Sequence, residues 1–547
     1  MMNQVPTLFF YVLLLVATAG LAQKPPGVWD VFDTGAKGDG KTMDTKAIQT
    51  AIDRCHAAGG GKVYLHNGRF LSGTIYLKSQ VTLYLEAGAV LLGSEKASDY
   101  PDQTSEYPTY DEHPLTSKAF IYAENSQNVT IEGRGTIDGR GDLIDNRKLT
   151  DPYVRPSFKY RPRILHLRGC ENVQVRSLTL RNAASWLQTY QACKNLVIDG
   201  ITVDTRENKD VENPNREHAV RHRNTDGLDV VDCEQVRIAN CTISSGDDGI
   251  CLKSFSPDRG CRNITITNCI VSCGASGIKI GTETAGAFED ITIQNCTVFD
   301  TFGEGIAIMT VDGARIERVT ISNITLRNIK RSALFIRLNT RNKQFGQPGP
   351  VNKPILKDII IENIQGTRLA SLGCSITGLA DYPLENVLIR TIHFEFEGGI
   401  TDVKPGALVP EKADAYPVGT MFGPALPAYG FYVRHVKNST FDQIHLRFAQ
   451  PDYRPALVID SAEEVEIRGL KAQTVARTPE LIRLVNARKV TIANSRLTAP
   501  VGSFLSVYGD QSAAIVLTDN QLGEAKQAYS FEKPALKAAL KEYGTIQ

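Results

Sequence analysis

A short apolar pattern recurs along this chain, and it limits the fold more than any other feature. It reads Val173-Gln-Val175, Leu196-Val-Ile198, Val236-Arg-Ile238, Ile264-Thr-Ile266, Ile291-Thr-Ile293, Val319-Thr-Ile321, Ile359-Ile-Ile361 and Val387-Leu-Ile389. From Val236 to Val319 the steps are 28, 27 and 28 residues. The next step is 40, with the Gly- and Pro-bearing stretch Asn342–Pro354 taking up the excess. Later copies stand at Val465-Glu-Ile467 and Val490-Thr-Ile492. Alternation over a few positions is the period of a strand, and no helical period is sustained. Short strands at a fixed repeat length predict an all-β solenoid of parallel strands, a β-helix. A coil of that kind cannot bury its own face and must stack on its neighbours. The 547 residues therefore form one long domain, where length alone would suggest three or four.

Other residues keep the same register. Asn240, Asn268, Asn295, Asn323 and Asn363 each follow the first apolar residue by four. Stacked Asn side chains can hydrogen-bond from coil to coil. Cys170, Cys193, Cys233 and Cys261 precede it by three, at a place where later coils carry Phe288, Ile316, Leu356 and Leu384. Cys241, Cys269 and Cys296 share a second place with Ile324 and Ile364. Positions shared with Leu, Ile and Phe are core positions, so these seven of the 11 Cys read as buried thiols rather than a disulfide framework. A second strand follows in each coil: Gly227-Leu-Asp-Val-Val231, Gly249-Ile-Cys-Leu-Lys253, Gly277-Ile-Lys-Ile-Gly281, Gly305-Ile-Ala-Ile-Met309 and Ala333-Leu-Phe-Ile-Arg337. Alternation turns Asp229, Cys251, Lys279, Ala307 and Phe335 outward in one column. Val231, Lys253, Gly281, Met309 and Arg337 form the next.

The ends differ from the middle. Residues 1–22 read as a secretory signal: Leu8–Val16 is apolar, small residues follow, and cleavage after Ala22 fits. A secreted or periplasmic protein with no later membrane span is expected. The β-helix domain is expected over 23–523, with 28–60 as an N-terminal cap holding a helix at Thr45–Ala57. The stretch 524–547 has helical spacing and reads as a C-terminal helical tail. Arg206–Arg223 is a charged loop, and Gly398–Gly430 another long one. The formal net charge of +1 gives no basis for nucleic-acid binding, which needs a basic surface.

The acidic residues fall on one outer wall. Asp226 precedes Gly227, and Asp248 precedes Gly249 one coil later, with Asp229 and Asp247 beside them. Carboxylates one strand spacing apart, roughly 5 Å, repel, and one pKa rises. A proton-bearing carboxyl beside an ionised one is what inverting glycoside hydrolysis requires. The same spacing also admits a Ca²⁺ site, lyase chemistry, or turn-forming Asp residues.

Asn224-Thr-Asp226-Gly-Leu-Asp229 followed by Ser245-Gly-Asp247-Asp248-Gly resembles the polygalacturonase family, glycoside hydrolase family 28. The resemblance runs from about residue 28 to beyond residue 340. It implies a right-handed parallel β-helix, an inverting mechanism, and no metal or organic cofactor. It implies Asp247 as general acid, Asp226 and Asp248 as holders of the attacking water, and Asn224 as a sugar contact or a guide for Asp226. The register supports the grouping but does not separate acid from base.

Two of the family's motifs are altered. Ser276 stands where a Gly-His-Gly would place its His. Ala307 and Met309 stand where an Arg-Ile-Lys would hold the galacturonate carboxylate, a loss of about 1.5–3 kcal/mol for such a contact. Lys253, Lys279 and Arg337 share the outward columns and are candidate substitutes, with Gln188 and Trp186 as further candidates from an earlier coil. His222 precedes Asn224 and reads as a loop residue. The expected activity is hydrolysis of a pectin-like acidic polysaccharide, in its galacturonan or rhamnogalacturonan regions, by a monomer. The rivals are a calcium-dependent lyase on the same fold and a non-catalytic glycan-binding β-helix.

Overall fold

A computed structural model of the chain describes residues 27–107, 118–144, 161–205, 224–344, 347–349, 353–402 and 409–546. The signal segment, the charged loop 206–223 and His222 lie outside the described residues. The chain winds as a right-handed parallel β-helix. Coil follows coil in register: Leu196 pairs Val236, Val236 pairs Ile264, Ile264 pairs Ile291, Ile291 pairs Val319 and Val319 pairs Ile359. These side chains are almost fully buried and stack along the axis as one continuous core. In parallel sheets such rows are β-branched because the pleat spaces them for close packing.

The asparagines do what the repeat predicts. Asn240, Asn268, Asn295, Asn323 and Asn363 all adopt a left-handed backbone, φ 54–58°. Asn tolerates that conformation better than most residues. Asn268 donates to Asn240, Asn323 to Asn295, and Asn363 to Asn323. All eleven cysteines are buried free thiols.

Helix α1 (Thr45–Ala57) lies over the first coil and buries Ile48, Ala51, Ile52 and Cys55. The opposite end departs from expectation. The tail is not an α-helix. Ala525–Phe531 and Leu540–Tyr543 are strands, joined by a 3₁₀ turn at Pro534–Ala539. The first pairs with Val501–Tyr508 and the second with Ala513–Thr518. The last coil's unpaired N–H and C=O groups act as a template, and pairing with them outweighs a local helical period.

Seven strands of the second sheet carry the candidate site: β1 (Arg163–Arg168), β2 (Gln188–Gln191), β3 (Leu228–Val231), β4 (Ile250–Ser254), β5 (Ile278–Thr284), β6 (Ile306–Thr310) and β7 (Leu334–Leu338). Their registers align Thr189, Asp229, Cys251, Lys279, Ala307 and Phe335 in one outward column.

Candidate active site

The glycine before each strand explains why the acids line up. A Cβ on Gly249 would stand 2.4 Å from Val271 and 2.5 Å from the Gly277 carbonyl oxygen. On Gly277 it would stand 2.3 Å from Val298 and 2.8 Å from the Gly305 carbonyl oxygen. Only glycine allows coils to stack this closely. The residue before each glycine is thereby pinned to the outer wall. Asp226, Asp248, Ser276 and Glu304 form that row. Their backbones are tied from coil to coil by Gly227 N–H to the Asp248 carbonyl, Gly249 N–H to Ser276 and Gly277 N–H to Glu304, each 2.9 Å.

One carboxylate oxygen from each of Asp226, Asp247 and Asp248 lies within 4.8 Å of the others. Asp226 and Asp248 are buried, while Asp247 is partly exposed. Asp247 Oδ2 accepts the Asn224 N–H at 2.8 Å, and its Oδ1 accepts the Asp248 N–H at 3.0 Å. Asp248 Oδ1 accepts the Ser276 N–H at 2.9 Å, and Lys279 Nζ donates to its Oδ2 at 2.7 Å. Burial disfavours the Asp248 charge, but the Lys279 and Lys253 ammoniums outweigh it and hold its carboxyl down at about 2. Asp226 goes the other way. Burial, then the charges of Asp229, Asp247 and Asp248, push it well above the usual carboxylate range. Asp229 is fully buried with neither oxygen hydrogen-bonded, and burial raises it to about 7 despite Lys253 and Arg163. The group thus keeps an anion at Asp248 and a proton at Asp226.

Lys279 and Lys253, proposed from sequence as substrate contacts, serve protein acids. Lys279 pairs with Asp248. Lys253 lies 3.1 Å from Glu283 and 3.7 Å from Asp229. Ser276 donates its hydroxyl to Glu304 Oε2 at 3.0 Å. Two candidates stand away from the acids. Gln188 pairs with Leu165, so it faces the coil interior; its amide donates to the Gly227 carbonyl and accepts from Tyr190. Arg337 donates to Asn339, to the Gly378 carbonyl and to the Glu411 carbonyl, away from the cleft.

That last contact belongs to a strap, residues 409–423, which lies across the wall just beyond the acids. Gly419 N–H donates to Glu304 Oε1 at 2.7 Å. Tyr416 and Thr282 share a hydroxyl–hydroxyl bond of 3.0 Å. Met421 packs with Ala307, Met309, Val311 and Phe335, and Val418 and Phe422 close over them. Ala307 and Met309 are therefore covered, at 1% and 2% exposure. The sequence pattern overlooked Glu304, although Glu304-Gly305 repeats the Asp226-Gly227 and Asp248-Gly249 spacing. It also overlooked Glu283 and Arg163; the strap belongs to the long loop Gly398–Gly430 expected from the sequence, but its seat on Glu304 and Ala307 was not foreseen.

The profile of the glycosyl hydrolases family 28 matches residues 69–404. The chain belongs to that family. It is a glycosidase of the polygalacturonase type. It is 28% identical over 388 residues to a probable polygalacturonase of Vitis vinifera, covering 66% of this chain and 74% of that one. It is 28% identical over 311 residues to an endo-polygalacturonase of Pectobacterium carotovorum subsp. carotovorum, covering 54% and 72%. In fold it resembles the family 28 exopolygalacturonase of Yersinia enterocolitica, with a TM-score of 0.55 at 20% identity over 89% of this chain and 78% of that one. Among the described residues no helix is long and apolar enough to cross a membrane.

Proposed function

We propose that this glycosidase hydrolyses glycosidic bonds in pectin-like acidic polysaccharide outside the cytoplasm, as a monomer, with inversion at the reacting carbon. The observation that carries the reading is the split among three adjacent carboxyls: an anion held by Lys279 at Asp248, a proton at Asp226, and a partly exposed Asp247. Asp248 takes the proton of the attacking water, and Asp226 shares in holding that water. Asp247 takes up the proton held at Asp226, whose carboxylate lies within 4.8 Å, and passes it to the leaving oxygen; Asn224 fixes Asp247 through its N–H. Lys279 and Lys253 set the charge of the group. Leader-like residues 1–22 support export. The names of the relatives support galacturonan or its branched neighbours as substrate. The strap closes one end of the cleft and supports release from chain ends.

Release of reducing ends from polygalacturonate and from branched pectin, by wild type beside Asp247→Asn, tests this reading. Loss in the variant supports it, and equal release by both proteins overturns Asp247 as the proton donor. One observation favours a second stereochemical course. The acids approach more closely than the ~6.5–9.5 Å of a water-spaced inverting pair and are nearer the ~5–5.5 Å of retaining pairs. Proton NMR of the first-formed anomer decides between them.

A calcium-dependent lyase is the less favoured chemistry. An ammonium 2.7 Å from Asp248 already supplies the positive charge that a metal would bring.

A further inference from the structure

The family's usual carboxylate grip is absent beyond the acids, where Ala307 and Met309 lie under the strap. The same row continues in the other direction. Thr189 pairs with Asp229 and Leu165 with Gln188. By that register Trp186 precedes Asp226 by one coil and Arg163 precedes it by two. The backbone bonds agree: Leu187 N–H donates to the Asp226 carbonyl at 2.9 Å, and Ile164 N–H to the Leu187 carbonyl at 3.1 Å.

Arg163 differs from the lysines around the acids, Lys253 and Lys279, and from Arg341 and Arg337. It is 3% exposed, yet its Nε has no hydrogen-bond partner. Its Nη1 donates only to the imidazole of His166, at 3.0 Å. Burial, then the neighbouring Arg168 and Arg163, keep that imidazole neutral. Among the described residues no carboxylate stands within ion-pair distance of Arg163. The guanidinium lies over the Trp186 ring, 4.8 Å from its centre. Lys253, Lys279, Arg337 and Arg341, by contrast, are matched to Glu283, Asp248, backbone carbonyls and Asp312. Orphaned hydroxyls of Ser185 and Thr189 stand beside the same row. Asp229 and Asp226 act on the guanidinium through space, but neither forms an ion pair with it; a buried guanidinium without a contacting anion is costly, and a bound carboxylate is the group that relieves it best. Trp186 is buried against Phe255 and Val231, with Lys253 Nζ also 4.9 Å from its ring centre, so it backs the guanidinium and fixes its position.

We propose that Arg163, backed by the Trp186 ring, forms an acidic-sugar subsite on the N-terminal side of the acids, where Arg163 takes the carboxylate of a uronate residue. The subsite lies two strand spacings, roughly 10 Å, from Asp226. It therefore reads the chain beside the bond that breaks. Acidic recognition has moved to the opposite side of the acids from Ala307 and Met309. The proposal deepens the hydrolase reading above and rests on it for the class of substrate.

The test uses Asp247→Asn protein, so that oligosaccharide survives. Calorimetric titration at low salt compares a galacturonic acid trimer with its carboxyl-reduced counterpart. The acid trimer is expected to bind at least about tenfold more tightly. Adding Arg163→Gln is expected to bring the two within about twofold. The proposal falls if the parent shows no preference for the acid trimer, or if the preference survives Arg163→Gln with the melting temperature unchanged. If Arg163→Gln does not fold, Arg163→Lys decides. It keeps the charge and loses the fork, so the preference should drop at least about threefold, and an unchanged preference overturns the proposal. Wild-type cleavage is scored separately. Cleavage without a binding preference sinks the subsite alone; binding without cleavage of any pectic substrate sinks the hydrolase reading alone.

Discussion

Lys279 stands one coil beyond Cys251 and reaches back to place Nζ 2.7 Å from Asp248 Oδ2. This contact fixes which carboxyl of the group carries the charge. Lys279→Met leaves the buried Asp248 carboxylate without its ammonium, so its pKa must rise from about 2. The acidic limb of the pH–kcat profile is expected to move to higher pH by at least about one unit. Below the new limb turnover should fall roughly tenfold for each unit of that shift, with little change well above it. An unmoved limb would separate Lys279 from the charge state of Asp248.

Asp247→Asn should lower turnover of a natural substrate by about 10²–10⁴-fold, the usual worth of a general acid. On an aryl glycoside with a good leaving group the loss should shrink, because that oxygen departs without a proton. Asp248→Asn should lose activity on both substrates alike. Measuring the two variants on the two substrates separates acid from base, which spacing alone leaves open.

Asp229 is fully buried with neither oxygen hydrogen-bonded, and its carboxyl is raised to about 7. The unfolded chain releases that proton near pH 4, whereas the folded protein holds it until about 7. Stability is therefore lost progressively as pH rises between those values. Asp229→Asn should raise the melting temperature at pH 8, by an amount corresponding to about 4 kcal/mol, and the gain should vanish below pH 4. A gain that persists at pH 3.5 would point to packing rather than charge.

Met421 anchors the strap in an apolar cluster. Met421→Asp places a charge there and should free 409–423 without melting the β-helix. Limited proteolysis near Lys412 should accelerate, while the melting temperature moves by only a few degrees. With that end of the cleft open, products from a long pectic chain should shift from single sugars toward mixed oligomers.

The 11 cysteines are buried thiols. Thiol titration should read close to zero in the native protein and approach the full count in denaturant, and reductant should leave the melting temperature unchanged. Fewer thiols after denaturation without reductant would show disulfides.

The fold was legible because its physics is periodic. A residue that fails to repeat every coil breaks the stack, so Val236, Ile264, Ile291 and Val319 announce the β-helix directly. The aspartate row was legible for the same reason, through the glycine that follows each acid. Arg163 was not. Twenty-three residues separate it from Trp186, but forty separate Trp186 from Asp226, and the inserted charged loop hides the shared register. The strap's docking point was equally hidden: the loop Gly398–Gly430 was visible, but Glu304 and Gly419 meet across 115 residues with no pattern joining them. Gln188 and Arg337 carried suitable functional groups, but sequence does not reveal which way a side chain turns or what else it binds. In the tail, a local helical period lost to the open edge beside it.

The glycine row has a further consequence for how such a protein can change over time. Inner and outer residues alternate on each strand, so an outward side chain can be exchanged without disturbing the apolar stack behind it. Ala307 and Met309 occupy a wall whose inner neighbours, Ile306 and Ile308, still fit the coil above and below. Specificity on this scaffold is thus inherited separately from stability. A lineage can discard one binding contact and adopt another two coils away without rebuilding the protein that carries both.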